Sequence, residues 1–326
     1  MILITGSAGF IGFHTSISFL KNKHKVIGID NINNYYNTKL KKDRITILKN
    51  YNNFNFEKVN ITDKSALMNI FNKYKIKCVV HLAAQAGVRY SFENPDSYFY
   101  NNLDGFRNIL DLIKEKKIKL LLYASSSSVY GSISTKQKFK ETLKTDSPLS
   151  LYAFTKKSNE VLAHYYSNTF RFKAIGMRFF TAYGPYGRPD MSLFKFVDSI
   201  TKNKKIEVFN NGQHSRDFTY IDDLTKFLYL LYKNNKKQNS NHEIYNLANG
   251  ESRKLMDFIK IIEKELDKKA KIIFRPMQRG DVKETMANNQ KVIKFTGYKP
   301  VTKIEDGINN FIKWYKKYYW SNFFLK

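Results

Sequence analysis

The 326-residue sequence predicts an α/β protein, a doubly wound parallel sheet carrying a smaller C-terminal α/β domain. Three observations carry that expectation. Apolar strand-like runs alternate with helical patterns through the first half, as they must where a helix crosses between parallel strands. The first run, residues 2–4, enters a turn with glycines at 6, 9 and 12, and a helical pattern follows. A second run, residues 26–29, ends in Asp30, about 20 residues past the glycines.

Taken in order, the predicted strands are 2–5, 26–30, 54–59, 78–83, 119–125 and 174–179, and the clearest helical stretches are 11–21, 64–74, 97–114 and 152–167. No repeat of 20 to 50 residues appears, which excludes a solenoid. From about Phe180 the pattern is less regular. Turns at Gly184-Pro185, Gly187-Arg188-Pro189 and Asn210-Asn211-Gly212 point to a smaller unit set over the strand ends. The expected division is 1–178 and 179–326, with segments near 215–245 returning to the first domain. The polar stretch 233–242 reads as a solvated loop. Ile304, Ile308, Phe311, Ile312 and Tyr315 keep helical spacing and read as core or subunit packing, and the aromatic tail from Tyr318 to Phe324 as a candidate subunit contact.

The glycine turn has a chemical reading. Strand, tight turn and helix N-terminus together aim backbone N–H groups at a pyrophosphate. A side chain at Gly6 or Gly9 would hold the phosphates away, and one at Gly12 would push the helix off the strand. Asp30 stands where a carboxylate would hold a ribose 2′-OH and repel a 2′-phosphate, which favours NAD over NADP.

Composition sets outer limits. The hydrophobic fraction of 42% is enough for a sizeable core, and no apolar run approaches the length of a membrane span. The one cysteine, Cys78, lies in an apolar run and excludes an internal disulfide. With a strand beginning at residue 2, a leader peptide is not expected, and the reading is cytoplasmic. The net charge of +28 raises nucleic-acid binding as a possibility. The lysines, however, are spread along the chain, as in Lys21/Lys23/Lys25, Lys39/Lys41/Lys42 and Lys202/Lys204/Lys205, with no arginine-rich block. No nucleic-acid partner is expected. The field would still favour the approach of anionic substrates.

The second strong pattern is Tyr152-Ala-Phe-Thr-Lys156. On a helix, residues four apart share a face, so a phenol and an ammonium point together. A lysine ammonium and the positive nicotinamide of NAD⁺ would lower the tyrosine pKa and make it a usable base. The spacing also arises by chance in a chain with 22 tyrosines. The preceding strand end gives it weight: residues 120–124 run into Ser125-Ser-Ser-Ser-Val-Tyr-Gly131, where ligands of doubly wound sheets bind.

Gly6-Ser-Ala-Gly9-Phe-Ile-Gly12, Ser125–Gly131 and Tyr152–Lys156 together resemble the extended short-chain dehydrogenase/reductases, which implies a Rossmann-type sheet. Four further strings resemble nucleotide-sugar 4-epimerases acting on UDP-glucuronate: Asp30–Tyr36, His81–Ser91, Arg178–Met191 and Arg216–Asp223. The resemblance implies a UDP-sugar substrate, a retained NAD, a transient 4-keto sugar and a homodimer formed through helices 97–114 and 152–167. It gives the 1–178 domain to NAD and the 179–326 domain to the UDP-sugar, and suggests a role in polysaccharide biosynthesis.

By the same resemblance Ser126, Tyr152 and Lys156 are catalytic. NAD would meet Gly6, Gly9, Phe10, Ile11, Gly12, Asp30, Asn31, Asn60, Ile61, Leu82, Ala83, Ala84, Gln85, Asn102, Tyr152 and Lys156. The substrate would meet Arg89, Ser126, Ser127, Ser128, Thr181, Arg188, Arg216 and Arg279, with Arg216 and Arg279 on the diphosphate. Related dehydratases carry Asp-Glu where this chain has Ser127-Ser128, and UDP-galactose-type epimerases commonly carry asparagine where it has Thr181. Asn60-Ile61 departs from the Asp-Ile pair that many relatives set against adenine. Epimerisation of another UDP-hexose, such as UDP-glucose or UDP-N-acetylglucosamine, stays open, as does a non-catalytic NAD-binding scaffold.

Overall fold

The computed structural model describes residues 1–132 and 137–320, the side chain of Trp320 excepted. The sequence runs β1 (Ile2–Thr5), α1 (Phe10–Lys21), β2 (Val26–Asp30), α2 (Thr38–Lys49), β3 (Phe54–Lys58), α3 (Lys64–Lys73) and β4 (Cys78–His81). Two short turns, α4 (Tyr90–Glu93) and α5 (Asp96–Tyr98), lead through a π-helical stretch, Phe99–Asp104, into α6 (Gly105–Glu115). Then come β5 (Leu120–Ser126), α7 (Leu151–Phe170), β6 (Lys173–Phe179), β7 (Thr181–Tyr183), α8 (Ser192–Thr201), β8 (Lys205–Phe209), β9 (Ser215–Tyr220), α9 (Ile221–Lys233) and β10 (His242–Leu247). The chain ends with β11 (Ser252–Lys254), α10 (Leu255–Leu266), β12 (Lys271–Arg275), α11 (Gln290–Thr296), α12 (Ile304–Tyr315) and a second π-helical stretch, Lys316–Trp320.

Apolar side chains on both faces of the strands decide the layers. Ile2, Ile4, Leu120 and Leu122 join one hydrophobic cluster, while Leu3, Leu121 and Tyr123 join another on the opposite face. A sheet apolar on both sides has to be covered on both. α1, α2 and α9 cover the first face, and α3, α6 and α7 the second. The seven strands are all parallel, in the order β10-β6-β5-β4-β1-β2-β3. The order reverses between β1 and β4, and a crevice opens there at the strand carboxyl ends.

Over that crevice lies the rest of the chain: a three-stranded sheet β11-β9-β7, a β12-β8 pair, and helices α8, α10 and α12 around a third core that includes Phe194, Phe218, Phe258 and Phe311. Ile308, Phe311, Ile312 and Tyr315 are buried in this core. The expected aromatic tail beyond Trp320 lies outside the described residues.

Three details depart from the sequence reading. Of the segment 215–245, α9 and β10 rejoin the large sheet, whereas β9 stays in the small one; α11 packs beside α9 and β10 as well. The stretch 233–242 is not simply solvated. Lys173 Nζ donates to the carbonyls of Asn235 and Gln238 at 2.9 and 2.8 Å, and Gln238 is buried, so the stretch caps the start of β6. The helix expected at 97–114 is interrupted by the π-helical stretch at Phe99–Asp104.

Candidate active site

One cleft, with an internal volume of about 420 Å³, runs from the β1–α1 turn across the ends of β4 and β5 to the small sheets. Its floor at one end is the glycine turn. Gly6 takes φ +71°, which an L side chain rarely adopts, and a Cβ on Gly12 would sit 2.0 Å from the Gly6 carbonyl oxygen. The helix thus starts hard against the strand, with Gly9 at its N-cap and no side chain capping it. The first amides of α1, at Phe10 and Ile11 on the cleft wall, are left for a ligand.

Asp30 closes this end. Its carboxylate accepts the Ala8 N–H at 3.1 Å and the Ile32 N–H at 2.8 Å, and burial pushes its pKa up against those two donors and Lys41. Asn31, Asn60, Ile61, Leu82, Ala83, Ala84 and Gln85 line the same surface. An uncapped helix start, a glycine floor and a half-buried carboxylate held by main-chain donors fit a dinucleotide with a free ribose 2′-OH. Asn102 is placed differently from the expectation. It is fully buried behind the wall, joined to the Gln85 main chain at 2.7 and 3.0 Å and to Thr155 Oγ1 at 3.1 Å. It sits in the π-helical stretch, a feature frequent at functional sites, and acts by holding Gln85.

At the centre stand the ends of β5 and α7. Ser150 caps α7 by accepting the Ala153 N–H at 3.1 Å, which brings Tyr152 and Lys156 in the first turns to the cleft. Ser126 Oγ accepts the Ser128 N–H at 3.1 Å, so its own proton is left to donate. Lys156 Nζ donates to the Ala124 carbonyl at 3.0 Å and keeps two further protons. Burial alone brings the Lys156 pKa down to about 8.

In the protein without cofactor, Lys156 is not among the groups that lower the tyrosine pKa. Burial dominates at Tyr152 and raises it, and the groups that pull it back are the Ser126 hydroxyl and the Arg188 guanidinium. In the protein alone the phenol is therefore protonated at neutral pH and ready to donate.

At the far end, Ser127, Ser128, Thr181, Arg188 and Arg216 line the cleft. Arg188 is paired with Asp190, whose other bond comes from the Tyr35 hydroxyl at 3.1 Å. Arg216 is aimed by Asp281 at 2.7 Å and by the Lys283 carbonyl at 3.0 Å. Arg89 and Arg279 do not line the cleft. Each is exposed and lies over a phenylalanine ring, Arg89 on Phe209 at 4.8 Å and Arg279 on Phe92 at 5.0 Å.

Sequence reasoning missed Lys41, Tyr35, Asp190 and Asp281. Lys41 is buried on the cleft wall, bonded to the Asn33 carbonyl at 2.8 Å, and its pKa falls to about 8 through burial, against the pull of Asp30. Its signal was masked by the lysine-rich run around it. Among the described residues no group of three or more His, Cys, Asp or Glu could hold a metal ion, and no helix is long and apolar enough to cross a membrane.

A doubly wound sheet with a dinucleotide turn and a Ser–Tyr–Lys set at its switch point defines a nicotinamide-dependent redox fold acting on a hydroxyl-bearing ligand. The family model described as the NAD dependent epimerase/dehydratase family matches residues 2–248, and the chain belongs to that family. It is similar to a UDP-glucuronate 4-epimerase of Thermodesulfobacterium geofontis, 41% identical over 97% of this chain and 96% of the other. A probable UDP-glucuronate 4-epimerase of Rhizobium meliloti is 40% identical over 97% of both. Among solved structures, UDP-glucuronic acid 4-epimerase from Bacillus cereus, in complex with UDP-glucuronic acid and NAD, superimposes with a TM-score of 0.88. It is 34% identical, over 98% of this chain and 99% of the other.

Proposed function

We propose that the chain is an NAD-dependent 4-epimerase interconverting UDP-glucuronate and UDP-galacturonate. The observation that carries this reading is one cleft holding the dinucleotide turn and Asp30, the Ser126/Tyr152/Lys156 set, and a hydroxyl row of Ser127, Ser128 and Thr181. The relatives named above at about 40% identity support the choice of sugar.

The glycine turn, Asp30 and Lys156 would hold NAD, which would supply a hydride acceptor and donor for C4. The protein's own groups do the rest. Tyr152, protonated in the protein alone, would act as base once the positive nicotinamide beside it favours its phenolate, taking the O4 proton and returning it afterwards, a role worth roughly 10²–10⁴-fold. Ser126 donates to the same oxygen. Lys156 offers its two remaining protons to ribose hydroxyls and keeps a positive charge beside the phenol. Arg216, pre-aimed by Asp281, grips the diphosphate, so the sugar can turn while the nucleotide stays anchored. Hydroxyls at 127, 128 and 181 receive the sugar carboxylate without an ion pair that would pin it. With no carboxyl side chain at 127 or 128, there is no acid–base pair there for dehydration.

The substrate domain is taken as 179–326 and the cofactor domain as 1–178 with its returning elements. The protein is further proposed to act in the cytoplasm, as a homodimer, supplying a galacturonyl donor for polysaccharide. The choice of sugar is tested by Thr181→Asn. It is expected to lower kcat/KM for UDP-glucuronate at least about tenfold more than for UDP-glucose, the worth of roughly one hydrogen bond to a charged group. Equal losses on the two sugars would remove Thr181 from carboxylate recognition.

A further inference from the structure

We propose that Glu160 is a positioning residue of the reaction, fixing the catalytic helix against β5 so that Tyr152 meets Ser126. Tyr152, Lys156 and Glu160 are spaced by four on α7 and share one face. That face meets the end of β5. Lys156 Nζ donates to the Ala124 carbonyl at 3.0 Å and Glu160 Oε1 accepts the Ser125 hydroxyl at 2.6 Å, while Tyr152 and Ser126 line the same cleft. Two hydrogen-bonded rungs thus join helix to strand, one at the Lys of the Tyr-x-x-x-Lys pair and one a turn beyond it.

The Glu160 rung is itself fixed. Arg178, opposite Ser125 in the β5–β6 register, makes a two-pronged pair with Glu160, Nε to Oε1 and Nη2 to Oε2, both at 2.8 Å. Both side chains are 2% exposed. The guanidinium lies 4.7 Å over the Tyr130 ring, and the Tyr130 hydroxyl donates to Asn246 Oδ1 on β10 at 2.7 Å. The Ser127–Tyr130 turn is therefore clamped from the same side.

Stability alone does not account for this arrangement, because burying two charges costs about as much as their attraction returns, and apolar replacements often serve as well. What an ion pair of fixed geometry adds is direction. It sets the rotation and height of α7 relative to β5, where an apolar contact would allow sliding. A shift of about 1 Å in a reacting pair can cost on the order of 10²-fold in rate.

The inference rests on the reading of Ser126 and Tyr152 as reacting groups. The test compares full-length holoenzyme with two variants, Glu160→Met/Arg178→Met and Ser125→Ala, on whichever UDP-sugar the wild type inverts. The double variant is expected to fold and keep NAD, with KM within about threefold and kcat lower by about 10- to 100-fold. Ser125→Ala keeps the ion pair and loses its tie to β5; kcat is expected to fall about three- to tenfold at unchanged KM. In both variants the Tyr152 titration, followed by carbon NMR of labelled tyrosine with Tyr152→Phe as the reference, is expected to move upward as Ser126 withdraws. Wild-type kcat together with an unmoved titration in either variant would overturn the positioning role. Should the double variant fail to fold, Ser125→Ala decides. A wild type that inverts no sugar would instead defeat the functional reading, and the titration would still report on the helix.

Discussion

Burial drives the two side chains at the head of α7 toward neutrality from opposite directions, the Tyr152 phenol upward and the Lys156 amine downward to about 8. A chemical consequence and a thermodynamic one follow. The ammonium form of Lys156 is the one that serves the ribose and the phenol, so kcat/KM is expected to fall as pH rises through about 8. Stability should move the other way. A base with a lowered folded-state pKa is more protonated when unfolded, between about 8 and about 10, so unfolding free energy rises with pH across that window. Lys41, lowered to about 8 as well, adds in the same sense. Parallel activity and denaturant-melt profiles check this, and an activity plateau through pH 9 would contradict it. At this scale the sequence was most legible where a residue type has one use, as with the glycines, Asp30 and the Ser–Tyr–Lys set. It was least legible for long cations. Whether Arg89 and Arg279 reach a ligand or lie on Phe209 and Phe92 depends on aromatic neighbours more than 100 residues away in the chain.

Among elements, the β1–α1 turn is the most constrained, and its constraint is steric. An alanine at position 12 would bring Cβ to 2.0 Å from the Gly6 carbonyl oxygen and 2.7 Å from its carbon, backbone atoms that cannot swing aside. Gly12→Ala is expected to cost about 1–3 kcal/mol, the usual range for overpacking, and to weaken NAD binding as the α1 amides retreat. Calorimetry and NAD titration check both; a variant with unchanged melting and NAD affinity would mean the helix can move without loss. The strands of the large sheet were legible from their apolar runs. The helix at Thr38–Lys49 was less so, because Lys39, Lys41 and Lys42 read as part of a charge spread along the chain and hid an inward face of Leu40, Arg44, Ile45 and Leu48. Nor could periodicity reveal the π-helical stretch, whose extra residue per turn places Asn102 behind Gln85.

For the whole molecule, two features of the surface bear on function. Helix α7 leaves Phe154, Val161 and Tyr165 outward at a spacing of seven and four, with Val161 57% and Tyr165 56% exposed, and Phe99 and Tyr100 stand exposed on the neighbouring π-helical stretch. Such a row of apolar side chains on adjacent helices fits a second copy of the same chain. If the proposed homodimer forms through this row, Val161→Glu with Tyr165→Glu is expected to lower the sedimentation coefficient to that of a monomer while Tyr152 and Lys156 stay in place; an unchanged coefficient would mean that this row is not a subunit interface. The second feature is the +28 charge, which favours the approach of an anionic ligand such as a nucleotide sugar. The sheet order brings the turn after β1, the ends of β4 and β5, and the start of α7 together at the switch point. That convergence is why strings scattered from Gly6 to Asp223 could be read as one site.

The central claim is most directly tested by incubating purified protein, with no cofactor added, with UDP-glucuronate and following the sugar C4 proton by NMR, with UDP-glucose and UDP-N-acetylglucosamine in parallel. Appearance of UDP-galacturonate, with the other two sugars unchanged, is the expected result and would establish reaction, sugar and retained NAD together. Inversion of UDP-glucose or UDP-N-acetylglucosamine in place of glucuronate, or no inversion of any of the three even with NAD supplied, would contradict the account.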